Sequence, residues 1–569
     1  MISKVYGVFA QDDWRLTPKL MVNLGLRWSY ATPFHEVHNQ LGGFSPTLGM
    51  VQEGQGPNGN YLWKPDHGNW SPRLGFAYDV TGKGTTVVRG GASILYSMFS
   101  LAPFSGNPGI ANVPGTSIAA DPTGACNMKV PVGQTCSGVG GSTFGGTIAT
   151  GTAKIPGSKL DWNGVVFPGG ATVSCTAAAP CSLGTVDPNL KTPFVYNWSL
   201  GVQHAFNSNL SLDVEYVGTR AGHLIGSIDL NQVNSAGVTP YATSFPYLQF
   251  INWATNYAYS HYNSLQTTLT QRLSHGFTLT AGYTYGHGLD NGSLNRFAGQ
   301  PQNSYDPAAE YGNSDFDIRH RATFTASYDI PGKKGYGQML EGWKLNTIVT
   351  IAGSQPWNII DGTNNFTGSS ENTDRWDFFG NPSDFKATSS SIPFCSGFPS
   401  DFLTSGGADL TGVTCSRTSG VSGIQTILPS SLASACKVAP DITTLSAKTG
   451  GCYVDGNSVL TPPVAGTFGT MGRNIFRDTG FKNVDFSVFK NFKFTERFGA
   501  QFRAEFFNVL NHPQIANPFG SVNGYAGGSD PSANSSFGCG CTTPDIAAGN
   551  PIVGSGDART IQLGLKLMF

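Results

Sequence analysis

Charge is scarce in this chain. Asp, Glu, Lys and Arg together make up 12% of 569 residues, with a formal net charge of -1. Typical soluble domains carry about 25% charged residues. The balance leaves no basic patch for a nucleic-acid partner, and the aromatic content excludes an extended disordered chain. No apolar run reaches the roughly 18 residues of a transmembrane helix. The opening Met1-Ile-Ser-Lys4 has no charged n-region, long apolar segment or small-residue cleavage site, so it is not a signal peptide. Ser/His/Asp and Cys/His constellations are also missing: the ten histidines are scattered. The sequence implies no enzyme and no cofactor. What it has in abundance is glycine, 74 residues, and aromatics at 12%. With Thr, Ser and Asn, that is a β-rich composition poor in helix formers.

Period-two alternation runs through the chain. Phe277, Leu279, Ala281, Tyr283 and Tyr285 share one face of a strand, and Thr278, Thr280, Gly282 and Thr284 share the other. Leu20, Val22, Leu24, Leu26 and Trp28 alternate with Asn23, Gly25 and Arg27. The pattern recurs from Leu210 to Tyr216, Thr323 to Ile330, Phe498 to Phe506 and Thr560 to Phe569. Short turns join pairs at Thr17-Pro-Lys19, Thr81-Gly-Lys-Gly84, Asn207-Ser-Asn209, Ser274-His-Gly276 and Thr495-Glu-Arg497, with a longer one at 331–341. Long loops lie near 31–69, 98–191, 220–260, 288–314, 354–480 and 511–556. Compact soluble domains rarely hold structureless loops beyond about 15 residues. Short turns at one end and long loops at the other mark an all-β, antiparallel transmembrane β-barrel with long extracellular loops.

The sequence predicts thirteen strands, near 4–15, 20–30, 70–80, 85–97, 194–206, 209–219, 261–273, 277–288, 315–330, 342–353, 481–493, 497–509 and 557–569. With the short turns periplasmic, the first and last strands both descend. An antiparallel sheet with an odd count closes only through a parallel seam, whereas bacterial single-chain barrels have even counts. The expectation is one barrel domain over 1–569, the C-terminal portion of a larger barrel, with its N-terminal strands and export signal not in the chain.

Ten cysteines, Cys126, Cys136, Cys175, Cys181, Cys395, Cys415, Cys436, Cys452, Cys539 and Cys541, fall in Gly/Ser/Thr/Pro-rich stretches and read as candidate disulfide staples of the loops. Pairs such as Cys126/Cys136 and Cys175/Cys181 are local, and connectivity is open. A zinc site is the rival, but Cys539-Gly-Cys541 lacks a second ligand pair. His35-Glu-Val-His38 is one residue short of the zincin spacing and follows a strand, so no metal is implied. Gly54-Gln-Gly-Pro-Asn-Gly59 matches a dinucleotide fingerprint only in letters. Asp317, Arg319 and Arg321, like Gln501, Arg503 and Glu505, read as polar barrel lining with cross-strand charge pairs. Trp14, Trp28, Tyr30, Trp198 and Trp343 sit near strand ends, as interfacial girdles do. The loop aromatics Trp63, Trp162, Trp253, Tyr257, Tyr259, Trp357 and Trp376 are candidates for stacking on a ligand or for packing the loops on themselves.

Several stretches resemble the barrel of TonB-dependent outer-membrane receptors, especially the Oar-like group: Tyr6-Gly-Val-Phe-Ala-Gln-Asp-Asp-Trp14, Asn23-Leu-Gly-Leu-Arg27, Phe316-Asp-Ile-Arg-His-Arg321, Gly342-Trp-Lys-Leu345 and Phe502-Arg-Ala-Glu-Phe-Phe-Asn-Val-Leu-Asn-His-Pro513. The terminal Leu565-Lys-Leu-Met-Phe569 looks like the signal read by the outer-membrane assembly machinery. The resemblance implies a 22-strand barrel of which about thirteen are present, a location in the bacterial outer membrane among its lipids, and import of a small ligand, saccharide or peptide captured by the loops. Plug, TonB-contacting box and N-terminal regulatory domain have no counterpart in the sequence, so coupling to the TonB system would run only through missing parts. A passive porin-like channel, or a surface-binding or adhesion barrel, is the alternative; a soluble carbohydrate-binding β-structure is a more distant one.

Overall fold

A computed structural model describes residues 2–35, 42–47, 49–52, 57–97, 181–234, 237–246, 248–293, 300–333, 335–360, 374–385, 452–461, 467–477, 480–512 and 558–569, together with a few short pieces between them. Its frame is one antiparallel meander of thirteen long strands, numbered here β1 Val5–Thr17, β2 Leu20–Ala31, β3 Trp70–Asp79, β4 Thr86–Tyr96, β5 Phe194–Ala205, β6 Leu210–Asp229, β7 Leu248–Ser274, β8 Phe277–Asp290, β9 His320–Asp329, β10 Trp343–Ala352, β11 Phe481–Lys493, β12 Gly499–Phe507 and β13 Thr560–Met568. Each pairs with its sequence neighbours, in the order in which they occur. The thirteen strands lie where the alternation puts them.

The register keeps the two faces separate across the whole sheet. Opposed residues run Asp12–Leu24–Leu74–Ala92–Trp198–Gly218 on one face and Gln11–Gly25–Arg73–Ser93–Asn197–Thr219 on the other. At the other end of the sheet, Val488–Ala504–Leu563 lie on the apolar face and Ser487–Glu505–Gln562 on the polar one. A slip of one residue at any pair would exchange the faces from there on, so the apolar face fixes the register. Its large side chains stay exposed: Leu74, Leu200, Leu563 and Leu565 are all more than half accessible. A contiguous apolar band of this extent on a sheet this long fits hydrocarbon rather than water.

Turn chemistry sets the short end. His275 and Gly276 both take positive φ, 52° and 76°, the two-residue hairpin conformation that matches strand twist. Gly276 is also closely approached: a Cβ there would lie 2.6 Å from the Asp329 carbonyl oxygen. In the β3–β4 turn the Asp79 carboxylate accepts from the N–H groups of Gly82 and Gly84, at 2.9 and 2.8 Å. Asn207 accepts from the N–H groups of Asn209 and Leu210, at 2.8 and 2.9 Å, in the β5–β6 turn.

Two features differ from the sequence expectation. The 220–260 segment is not all loop. β6 runs on to Asp229 and β7 begins at Leu248, and Gly226–Asp229 pair with Asn252–Thr255 above the membrane band. Their alternation breaks at bulges between Ala221 and Gly226, which hid the continuing strands. A short strand, Cys181–Val186, then pairs parallel to β7 along this extension. Four cysteines placed in loops also lie on short strands: Cys181, and Cys395 whose backbone is opposed by Cys415 on one side and Cys452 on the other. Cys126, Cys136, Cys175, Cys436, Cys539 and Cys541 lie outside the described residues.

Candidate functional site

The described parts of the long connections fold into a layer over the outer end of the sheet. One apolar core joins Leu62, Trp63, Val186, Leu190 and Ala254, with Phe34 and Ile225 against it. Beside it Phe44 sets its ring edge-on to Tyr241 and Phe245, each at 5.3 Å, and its N–H donates to Thr185 Oγ1 at 2.9 Å. A second core stacks Trp357 on Phe476 at 4.8 Å, with Phe378 edge-on to Phe476 at 5.1 Å and to Phe385 at 5.4 Å. Trp63, Trp253, Trp357 and Trp376 are all buried in this layer. Of the two readings the sequence left open for these rings, loop packing is the one these four display. Tyr257 and Tyr259 are half-buried, and Tyr259 stacks on Tyr311 at 5.3 Å. Trp162 lies on a two-residue strand, Asp161–Trp162.

The loop layer also holds a charged network that sequence reasoning missed. Arg473, from the end of the 354–480 loop, donates from Nε to the Glu310 carbonyl oxygen at 2.7 Å and from Nη1 to Ser293 Oγ at 3.0 Å. Its Nη2 binds both the carbonyl and the carboxylate of Asp290, and the Asp315 carboxylate lies 3.5 Å away. Asn474 donates to Asp315 Oδ1 at 2.6 Å and to the Asn313 carbonyl at 2.8 Å. Alongside, Arg375 pairs with Glu310 at 3.2 Å, and Gln302 accepts from the Arg375 N–H at 2.8 Å. Burial pushes the Asp315 carboxyl up to about 7, against the pull of Arg473 and Asn474. Burial also lowers the Arg375 pKa, and Glu310 opposes it. The one signal in the sequence was the density of Asp and Asn in 288–317, which reads as turn chemistry.

Asp317 is a second hub. Arg319 donates to it at 2.9 Å, the Gly288 N–H at 2.8 Å, and Arg477 also pairs with it. Desolvation raises its pKa, but the hydrogen bonds from Gly288, Arg477, His287 and Arg319 outweigh it and hold the carboxyl below the ordinary value. Arg321 instead lies on β9, opposite Thr284 and Ala352 on the polar face. That face carries short-range polar ladders: Arg89 to Asp213, Asn23 to Asp13 at 2.6 Å, and Arg503 to Gln501 at 2.7 Å. Such ladders line an aqueous lumen and leave the apolar face free for lipid.

The aromatic ends fit a membrane of matching height. Tyr6, Tyr30, Trp28 and Trp70 form a chain of ring contacts at 6.1, 6.1 and 6.4 Å toward the outer end of β1–β3. At the short-turn end Trp343 and Phe492 flank the Lys490 ammonium, at 5.3 and 4.7 Å, and that ammonium reaches the Gln338 and Glu341 carbonyls. This is a snorkelling cation at the edge of the apolar face. Of the other motifs, His35 bridges to Ile2 through backbone hydrogen bonds and sets its ring on Tyr61 at 5.8 Å. Glu36 and His38 lie outside the described residues. Among the described residues, no group of three His, Cys, Asp or Glu side chains is placed to hold a metal ion.

A sheet with one lipid-facing and one polar face, short turns at one end and a packed loop layer at the other is the wall of a membrane-spanning outer-membrane barrel. The chain matches the outer membrane beta barrel domain over residues 2–562 and belongs to that family. No curated protein matches it. Among solved structures it is similar to the ferric enterobactin receptor of Pseudomonas aeruginosa, with 12% identity, TM-score 0.41, and coverage of 100% of this chain and 45% of that one. It is also similar to the siderophore receptor PirA of Acinetobacter baumannii, with 12% identity, TM-score 0.38, and coverage of 100% and 46%. A copper transporter, OprC, has 10% identity, TM-score 0.39, and coverage of 100% and 48%. The chain spans less than half the length of these structures.

Proposed function

We propose that this chain supplies barrel wall and outer loops to a TonB-dependent receptor that captures a small ligand, saccharide or peptide outside the cell and imports it through a gated lumen. The observation that supports this most is the loop layer itself. Among the described residues, buried ion pairs of Arg473 and Arg375 tie segments of separate long loops together above a polar lumen, a base on which ligand capture can be built. The Oar-like stretches of β1, β2, β9, β10 and β12 agree with it.

The edges bear on completeness. Among the described residues, β1 pairs only with β2 and β13 only with β12. In hydrocarbon every backbone polar group must be paired, so each edge needs a partner strand. β1 and β13 run in the same direction, because twelve antiparallel steps separate them. Closure without a parallel seam therefore takes an odd number of further strands between them. The remaining nine of a 22-strand barrel would satisfy this parity.

The test is conductance of the complete gene product in planar bilayers, with upstream coding sequence included. A closed pore that transports ligand only when the TonB system is energised is the expected result. A steadily open, energy-independent pore would establish the porin-like alternative. A genuine start at Met1 preceded by a stop codon, with no plug-encoding sequence nearby, would remove the receptor reading.

A further inference from the structure

The apolar face is grooved in one place. Across β1–β5 a cavity of about 1020 Å3 opens on it, floored by small residues such as Ala10 and Ala92 and walled by Leu26, Leu74 and Trp198. It follows two adjacent cross-strand rows, so it runs across the strands. One end is Asp12 on β1; the other reaches Arg220 on β6. The volume is at the upper end of small-molecule sites, roughly 300–1,000 Å3.

Arg220 is out of place on this face. Its register partners are Tyr196 on β5 and His261 on β7, and His261 Nδ1 lies 3.2 Å from the Tyr311 hydroxyl. The side chain is exposed, and among the described residues no carboxylate pairs with it. It stands at the outer edge of the band, level with Tyr196 and one residue pair above Trp198. An unpaired guanidinium at the rim of an apolar groove, bordered by interfacial aromatics, fits an anionic lipid headgroup above an acyl chain. Other occupants fit less well. A second copy of the chain would bury Arg220 against an apolar face, and a zwitterionic lipid would offer a phosphate already balanced by its own ammonium.

We propose that this groove is a lipid site: it holds an acyl chain of an outer-leaflet lipid across β1–β5, with the phosphate of that lipid's headgroup on Arg220. The Asp12 carboxylate at the far end sets the direction, because it repels the phosphate. The proposal rests on the membrane orientation given above.

The test uses the full chain reconstituted in phosphatidylcholine vesicles doped with acyl-brominated lipid, with tryptophan quenching as the readout and a Trp198→Phe variant to assign the signal. Brominated phosphatidylglycerol should quench Trp198 with about a fivefold preference over brominated phosphatidylcholine, the size of one cation–anion contact at a membrane surface. Arg220→Gln should abolish the preference, and Ala92→Leu, which fills the groove, should weaken quenching by both lipids while Trp70 remains quenched. Equal quenching by the two lipids, or a preference that survives Arg220→Gln, would overturn the proposal. So would a cross-linked dimer across this face. No quenching of any indole by either lipid would instead overturn the membrane orientation.

Discussion

Arg473 binds Asp290 across 183 residues of sequence, and its guanidinium is withdrawn completely from solvent. The pair joins the end of the longest outer loop to the top of β8. Removing one member of a buried, hydrogen-bonded ion pair leaves an uncompensated charge, at about 3–5 kcal/mol. Arg473→Ala should therefore release the 288–317 and 467–477 segments while leaving the strands paired. Limited proteolysis of intact cells should show new cleavage in these loops with unchanged heat-modifiable migration of the barrel. Unchanged loop protection would show that the apolar cores alone hold the layer.

The two carboxylates beneath the loops should respond oppositely to pH. Asp315 titrates near 7 when folded, against an ordinary 3.8. The folded state thus binds its proton more tightly, and this stabilisation is full below about pH 4 and lost as pH rises through 7. Asp317 is held below the ordinary value, so its contribution is present above about pH 4 and is lost only in stronger acid. Between pH 4 and 7 the Asp315 effect operates: burial drives it and the Asp290 carboxylate adds to it, against Arg473, Asn474 and Ser293. Amide exchange in 312–317, corrected for its intrinsic rate, should speed up from pH 5 to pH 8, and Asp315→Asn should flatten the change. Faster exchange on acidification within that window would reverse the assignment.

Gly218 lies against the Trp198 indole, and a Cβ built there would come within 2.1 Å of Trp198 Cε2. The indole must move for any other residue, at about 1–3 kcal/mol of overpacking. Gly218→Val should shift the tryptophan emission maximum and lower the denaturant midpoint. Trp198→Ala should absorb most of the loss in the double variant. Additive effects of the two changes would separate the residues.

Neighbouring positions on β5 should tolerate charge very differently. Leu200 opposes Gly90 and Tyr216 on the apolar face, and Ser199 opposes Gly91 and Val217 on the polar face. Leu200→Arg should destabilise the protein by about 2–4 kcal/mol in bilayers, as arginine does on the lipid face near the midplane. Ser199→Arg should stay within about 1 kcal/mol. Guanidinium unfolding in liposomes measures both, and a reversed order would exchange lipid and lumen.

The amino-acid pattern alone determined the thirteen strands, their order, their two faces and the end at which the short turns lie. The reason is local. Side chains alternate at every residue of a strand, and hydrocarbon on one side imposes that alternation within the membrane band of each strand, as from Leu20 to Trp28 and from Ile561 to Leu567. The turn residues His275, Gly276 and Asp79 act within a few positions of themselves and were legible for the same reason. Tertiary structure alone decided the rest. The bulges of β6 near His223 interrupt the alternation, so its extension and that of β7 emerge only from their pairing with each other. The contacts of Arg473 with Asp290 and Asp315 depend on loops that meet 158 or more residues apart (473 − 315 = 158), where no periodicity records the encounter. Arg220 gave no signal either, because it falls at the start of the segment that the sequence reads as the 220–260 loop, and only the register of β5 with β6 places it beside Tyr196 on the face that lipid touches.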